Sequence, residues 1–202
     1  MSKPKLYYFD APVSRGEECR IAFTCAGIEF EDVRLSREKW IELKPTSPFG
    51  AVPWVEVDGK RMAQSNAILA WIGGQSDLLP KDPFEAGLHV AMMEHVEDLR
   101  HKLGPTLRIT EEEAKKKARQ ELAATTIPQW AAYTEKLLGE GPFYGGKTLS
   151  VADIKLFMVV RWLVSGTLDH IPATVLDGFP KMKSHFAAVA EHPGVKSWLQ
   201  KQ

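Results

Sequence analysis

The sequence predicts an α/β domain over residues 1–77 joined to an all-α domain over residues 84–202. Three observations predict this. Strand and helix signals alternate up to about residue 77, and only helix signals follow from about residue 84. Between them, Ser76-Asp-Leu-Leu-Pro-Lys-Asp-Pro83 breaks helix periodicity with two prolines and two aspartates. A length of 202 residues suits one large or two small domains.

Lys5-Leu-Tyr-Tyr-Phe9 reads as an apolar, aromatic strand. Arg15 to Ala26 reads as a helix stopped by Gly27. Glu29 to Leu35 alternates apolar and polar residues, as a strand near a sheet edge does. The region of Trp40 follows as a helix, then Pro48-Phe-Gly-Ala-Val-Pro53. Trp54-Val-Glu-Val57, Asp58-Gly59 and Lys60-Arg-Met-Ala63 read as strand, tight turn and strand. Ile68, Leu69, Trp71 and Ile72 then recur at helix spacing. Strand-helix-strand-helix-strand-strand-helix is the thioredoxin-like order, a mixed sheet with helices on both faces.

Two positions in this half suggest binding. Pro53 lacks a backbone N–H and is a candidate for a cis peptide bond. Such a bond at a strand start turns the Val52 backbone outward, where it can pair with an extended peptide by strand addition. The plainer reading is a proline-bounded loop. Ser65 lies where a strand meets a helix N-terminus, a ready site for an anion. The plainer reading there is a helix-capping serine.

In the second half, Thr110-Glu-Glu-Glu113 reads as a capping box. Glu111, Glu112 and Glu113 precede Lys115, Lys116 and Lys117 by four residues, the pattern of a solvated, ion-paired face. Ser150-Val-Ala-Asp153 is a second capping box, with Leu149 and Ile154 placed as a hydrophobic staple. The apolar run from Ile154 to Val164 predicts a helix buried on most sides, so Asp153 is assigned to folding.

Composition narrows the function. A formal net charge of zero argues against nucleic acid or an acidic membrane as main partner. No apolar run reaches membrane-spanning length, and Met-Ser-Lys-Pro-Lys lacks a signal-peptide core, so a cytoplasmic protein is expected. Cys19 and Cys25 lie six apart on one helix and point to different faces. With no CxxC pattern and no HExxH spacing, no metal site is expected.

Taken in order, Lys5-Leu-Tyr-Tyr-Phe9, Arg15-Gly-Glu17, Gly27-Ile-Glu-Phe-Glu-Asp32, Trp40, Leu43-Lys-Pro45, Pro48-Phe-Gly50, Glu56-Val-Asp-Gly59, Gln64-Ser65 and Ser150–Asp153 resemble the glutathione transferases. The likeness is greatest to the sigma class, which includes glutathione-dependent prostaglandin D synthases, and it covers nearly the whole chain. It implies the glutathione transferase fold and glutathione as co-substrate. Tyr8 matches the tyrosine whose hydroxyl donates to the glutathione sulfur. A free thiol has a pKa near about 8.5. Lowering it by about two units requires about 2.7 kcal/mol, which a phenolic donor with help from nearby charge can supply.

Tyr7 and Ser14 are rivals for that role. Adjacent strand residues face opposite sides, so only one tyrosine can point at the site. Other classes use a serine near the start of the first helix. Arg15 matches an arginine near the thiol, although Pro12-Val-Ser-Arg-Gly-Glu17 is one residue longer than the common pattern. The resemblance further implies Trp40 and Lys44 at the glycine end of glutathione and Val52-Pro53 at the cysteinyl backbone. Gln64 and Ser65 fall at the γ-glutamyl carboxylate. Asp98, four residues after Glu94, matches an aspartate that reaches the γ-glutamyl amine in the partner subunit of a homodimer. The second substrate is expected to be a small hydrophobic electrophile, held near Ala11–Val13, Arg100, Leu103, Leu107 and Trp162. Alternatives are a glutathione-dependent isomerase or peroxidase, or a non-catalytic ligand-binding or structural relative.

Overall fold

Alternation of side chains makes β1 (Lys5–Phe9) two-faced. Leu6 and Tyr8 are buried on one side, and Tyr7 and Phe9 are half-buried on the other. The structure, a computed structural model, describes residues 2–201. After β1 come α1 (Ser14–Cys25), β2 (Glu31–Leu35), α2 (Arg37–Leu43), β3 (Trp54–Val57), β4 (Lys60–Ala63) and α3 (Ser65–Gly74). The sheet order is β2-β1-β3-β4. β1 pairs parallel to β2 and antiparallel to β3, and β3 pairs antiparallel to β4. This is the mixed sheet expected, with β2 at an edge. Asp58 (φ 49°) and Gly59 (φ 75°) turn the hairpin in the left-handed region that a two-residue connection requires.

One face carries an aromatic layer. Tyr7 stacks on Trp54 with ring centres 4.6 Å apart, and Trp40 of α2 meets Phe9 and Trp54 at 6.1 Å each. Tyr7 thus takes the packing role. Leu6 and Tyr8 point to the other face, where α1 lies. Eight consecutive residues of α1, Gly16 to Phe23, are buried, three of them charged.

The chain divides into two compact units, residues 2–90 with 191–201, and residues 91–190. The first therefore includes α9 (Pro193–Leu199), seated on α1: Trp198 Nε1 donates to Glu17 Oε1 at 2.6 Å. α4 (Pro83–Leu103) runs from the first unit into the second. The second continues with α5 (Glu112–Glu121), α6 (Ile127–Leu137), α7 (Val151–Val164) and α8 (Pro180–Glu191). Every residue of α7 from Val151 to Val160 is buried. Asp153 accepts from the Ser150 N–H (2.8 Å) and hydroxyl (2.6 Å), the Tyr144 N–H (2.7 Å) and His185 Nε2 (2.7 Å). The capping box expected at 150–153 is present.

The start of α5 differs from expectation. Glu111, not Thr110, caps it, and its carboxylate accepts from the N–H groups of Glu113 (2.9 Å) and Ala114 (2.6 Å). Folded back onto the helix end, Glu111 does not pair forward. The ion pairs shift to a three-residue spacing, Glu112–Lys115 at 2.6 Å and Glu113–Lys116 at 3.8 Å. A carboxylate at the positive end of a helix is well placed for both charge and hydrogen bonding.

Candidate active site

Tyr8 lies at the second-last position of β1, with its side chain against the first turn of α1. It is 8% exposed. A Cβ added at Gly16 would fall inside the Tyr8 ring, so the ring lies directly on the glycine. The phenol oxygen is hydrogen-bonded by the Ser14 side chain and the Gly16 backbone. Burial pushes the Tyr8 pKa above its ordinary value of 10.0, and Glu18 adds to this. Ser14, Arg15 and the Gly16 N–H pull the other way without reversing it. The group is therefore a neutral phenol at physiological pH, able to donate a proton in a hydrogen bond.

Arg20 holds the chain that leaves β1. It is fully buried, and Nη2 and Nη1 donate to the carbonyls of Phe9 and Ala11, both at 3.0 Å. Glu17 (3.2 Å) and Asp32 (2.9 Å) balance its charge. Its guanidinium lies 5.7 Å from the centre of the Tyr8 ring. Arg15 sits half-buried in the first turn of α1 and acts on the same phenol as a positive charge.

The other residues singled out in the first unit fall at element ends. Lys44 follows α2 directly, and its N–H donates to the Trp40 carbonyl, so both lie on one helical turn as their spacing implied. Lys44 is exposed and Trp40 half-buried. The Val52–Pro53 bond is cis. The β1–β3 ladder ends at Tyr7–Trp54, which leaves Val52 beyond its last pair. Gln64 is exposed and adopts φ 72°, ψ 113°, a backbone rarely taken by a non-glycine residue. Gln64, not Ser65, occupies the cap position of α3. Ser65 is the first helical residue and is buried at 5% exposure. The Gln64 side chain makes no capping hydrogen bond. Asp98 is exposed on α4 in the second unit, as is Glu94 one turn before it.

Residues 4–74 match the family described as "Glutathione S-transferase, N-terminal domain", and residues 97–202 match "Glutathione S-transferase, C-terminal domain". The chain belongs to the glutathione S-transferase family. Glutathione S-transferase 1 of Ascaris suum is 34% identical to it, the match covering 98% of this chain and 96% of the relative. Hematopoietic prostaglandin D synthase of Gallus gallus is 32% identical, covering 100% and 98%. The crystal structure of monomeric Na-GST-3, a glutathione S-transferase from the hookworm Necator americanus, superimposes with a TM-score of 0.88 at 31% identity, covering 99% and 97%. The likeness is sigma-like, and the family's co-substrate is glutathione. No helix among the described residues is long and apolar enough to cross a membrane.

Within this glutathione S-transferase, residues to which the sequence assigns no site role surround Tyr8: Gly16, which receives the ring, and Glu17 and Arg20, which hold its strand end. One signal for them existed. Arg15-Gly-Glu-Glu-Cys-Arg20 places four charges and a glycine in a helix next to the strand that bears Tyr8. Charge alone reads as surface, so burial had to be seen to be known.

Proposed function

We propose that this glutathione S-transferase activates the glutathione thiol with Tyr8 and conjugates it to small hydrophobic electrophiles, acting in the cytoplasm. The observation that carries this reading is the Tyr8 phenol: buried, neutral, held at the first turn of α1 and beside the cation of Arg15. A neutral phenol donates to a thiolate more strongly than to a thiol, because the hydrogen bond favours the charged acceptor. Arg15 adds attraction for the same charge.

The remaining residues bind the rest of the tripeptide. Trp40 and Lys44 offer an indole N–H and an ammonium to the glycine carboxylate. Val52, beyond the end of the β1–β3 ladder and before Pro53, pairs with the cysteinyl backbone. Gln64 and Ser65 take the γ-glutamyl carboxylate at the start of α3. The left-handed backbone of Gln64 supports a role there, since such strain costs about 1–3 kcal/mol and clusters at ligand sites. Asp98 reaches the γ-glutamyl amine of glutathione held by the partner of a homodimer. Sedimentation together with glutathione affinity of Asp98→Asn tests this. A monomer with full affinity rules it out, and Na-GST-3 is a monomeric relative that makes the measurement pointed.

Isomerisation is the second reading, favoured by the likeness to a hematopoietic prostaglandin D synthase. It uses the same thiolate and is separated from conjugation by product analysis.

Calorimetric titration with glutathione, read alongside the ultraviolet absorbance of the bound thiolate across pH, tests the core of the proposal. Binding is expected with a thiol pKa about two units below the free value. No binding, or a bound thiol with the free pKa, defeats it. Tyr8→Phe should keep affinity and lose turnover by about 10- to 100-fold, the scale of about two pKa units of lost stabilisation. Ser65→Ala should weaken glutathione binding by about 1.5–3 kcal/mol, the value of a hydrogen bond to a charged group.

A further inference from the structure

Gly16 lies in the first turn of a helix, is wholly buried and has no positive φ to explain it. A helical glycine costs about 1 kcal/mol relative to alanine. Its neighbour across the gap supplies the explanation. An alanine Cβ would meet Cγ and Cδ1 of Tyr8, and Cε1 at 2.6 Å. Cγ lies on the ring axis, so no rotation about that axis clears it. Tyr8 would have to leave its place.

The geometry points to Gly16, together with Ser14, as a seat that positions the Tyr8 phenol toward the glutathione sulfur. Gly16 acts twice, by lacking a Cβ where the ring lies and by its N–H at the phenol oxygen. Ser14 adds its hydroxyl to the same oxygen. It does so from a left-handed backbone (φ 59°), a conformation that costs a non-glycine residue energy and aims it out of the ordinary helical path. The Arg20 guanidinium, one turn further along α1, lies 5.7 Å from the ring centre, within cation–π range. An oxygen that accepts from two donors becomes a better donor itself, because hydrogen bonds in a chain polarise one another. The phenol then donates a hydrogen bond to the thiolate and keeps its proton, so the sulfur stays anionic. Ser14 and Gly16 are positioning residues in this scheme; Tyr8 alone touches the sulfur.

This rests on the proposed role of Tyr8, and the test separates the two. Wild type, Tyr8→Phe, Gly16→Ala, Ser14→Ala and the two double variants with Tyr8→Phe are compared. The readings are glutathione affinity, the pKa of the bound thiol and turnover with a standard aromatic electrophile, with urea midpoints as folding controls. Gly16→Ala should lower kcat by about 10- to 100-fold, the effect of displacing a reacting group by about an ångström, with affinity nearly unchanged. Ser14→Ala should raise the bound thiol pKa in the same direction by a smaller step. Neither change should matter further once Tyr8 is phenylalanine, since both act through its hydroxyl.

Gly16→Ala or Ser14→Ala with wild-type thiol pKa and kcat, while Tyr8→Phe is impaired, overturns the seat and leaves the role of Tyr8 standing. Effects that add fully to Tyr8→Phe overturn it too, because they would not pass through the phenol. Tyr8→Phe behaving as wild type overturns both. If Gly16→Ala does not fold, Ser14→Ala, which adds no volume, decides the matter alone.

Discussion

Helices α1 and α7 are both buried along most of their length, and they differ in what their buried charges hold in place. α7 is apolar from Leu156 to Val160 and is closed at its start by a complete capping box. α1 buries Glu17, Glu18 and Arg20 with no exposed surface at all. Water-free charges are costly unless each finds partners. The partners of Arg20 are the strand end that presents Tyr8, and Glu17 takes Trp198 of α9. The buried charges of α7 serve its own unit: Asp153 closes the cap, and Lys155 pairs with Glu97 of α4 at 2.6 Å. A helix that must fix a neighbouring loop and a phenol in place needs directional bonds.

Removing the anchors of each helix should break this contrast first. Asp153→Ala leaves a His185 nitrogen, a hydroxyl and two N–H groups without an acceptor, and should cost about 3–5 kcal/mol of stability. Arg20→Met should cost a similar amount, about 3–5 kcal/mol, by leaving the buried Glu17 carboxylate without its cation, while Asp32 keeps Arg34. Urea unfolding measures both. The two should differ in turnover per folded molecule: unchanged for Asp153→Ala, reduced for Arg20→Met. Equal turnover would erase the distinction between the helices.

Milder changes sharpen it. Ser150→Ala and Glu111→Ala each remove a cap from the second unit and should cost about 1 kcal/mol, with no change in glutathione affinity. A shift in affinity would show that caps outside the site matter to it.

The smallest effect lies at the far end of α1. Burial pushes the Cys25 thiol up to about 12 and pulls His192 below its ordinary 6.5. Cys25 is then a protonated thiol, and thiol reagents at neutral pH should label the native protein slowly. His192 resists protonation only when folded. Below pH about 6.5 the unfolded chain binds a proton that the native one refuses, so this contribution to stability fades as pH falls. Denaturation midpoints of wild type and His192→Asn should converge with acidification. A gap that widens toward low pH would reverse the sign.

The sheet was readable because its signals are local. Alternation in Lys5–Phe9, the Asp58-Gly59 turn and Pro53 each state a backbone preference within a few residues. The cap of α5 was misread for the same reason. Thr110 is the better cap by residue type, and only the fold shows the Glu111 carboxylate accepting from the Glu113 and Ala114 N–H groups instead. At Gln64 the left-handed turn carries no signal in residue type, since glutamine does not favour it. The motif residues near Tyr8 could be named from resemblance, but the contact of Tyr8 with Gly16 joins positions that only a strand–helix turn brings together.

By itself, the sequence determined the order of elements, the caps set by Ser150 and Asp153, and the family to which the chain belongs, because periodicity, turn chemistry and motif order are written along the chain. Tertiary structure alone decided which charges of α1 are buried, that α9 returns to cover Glu17, and that Tyr8 rests on Gly16. Burial and non-local contact are properties of a folded surface, and a residue's type fixes what it can bond to without fixing what it will meet.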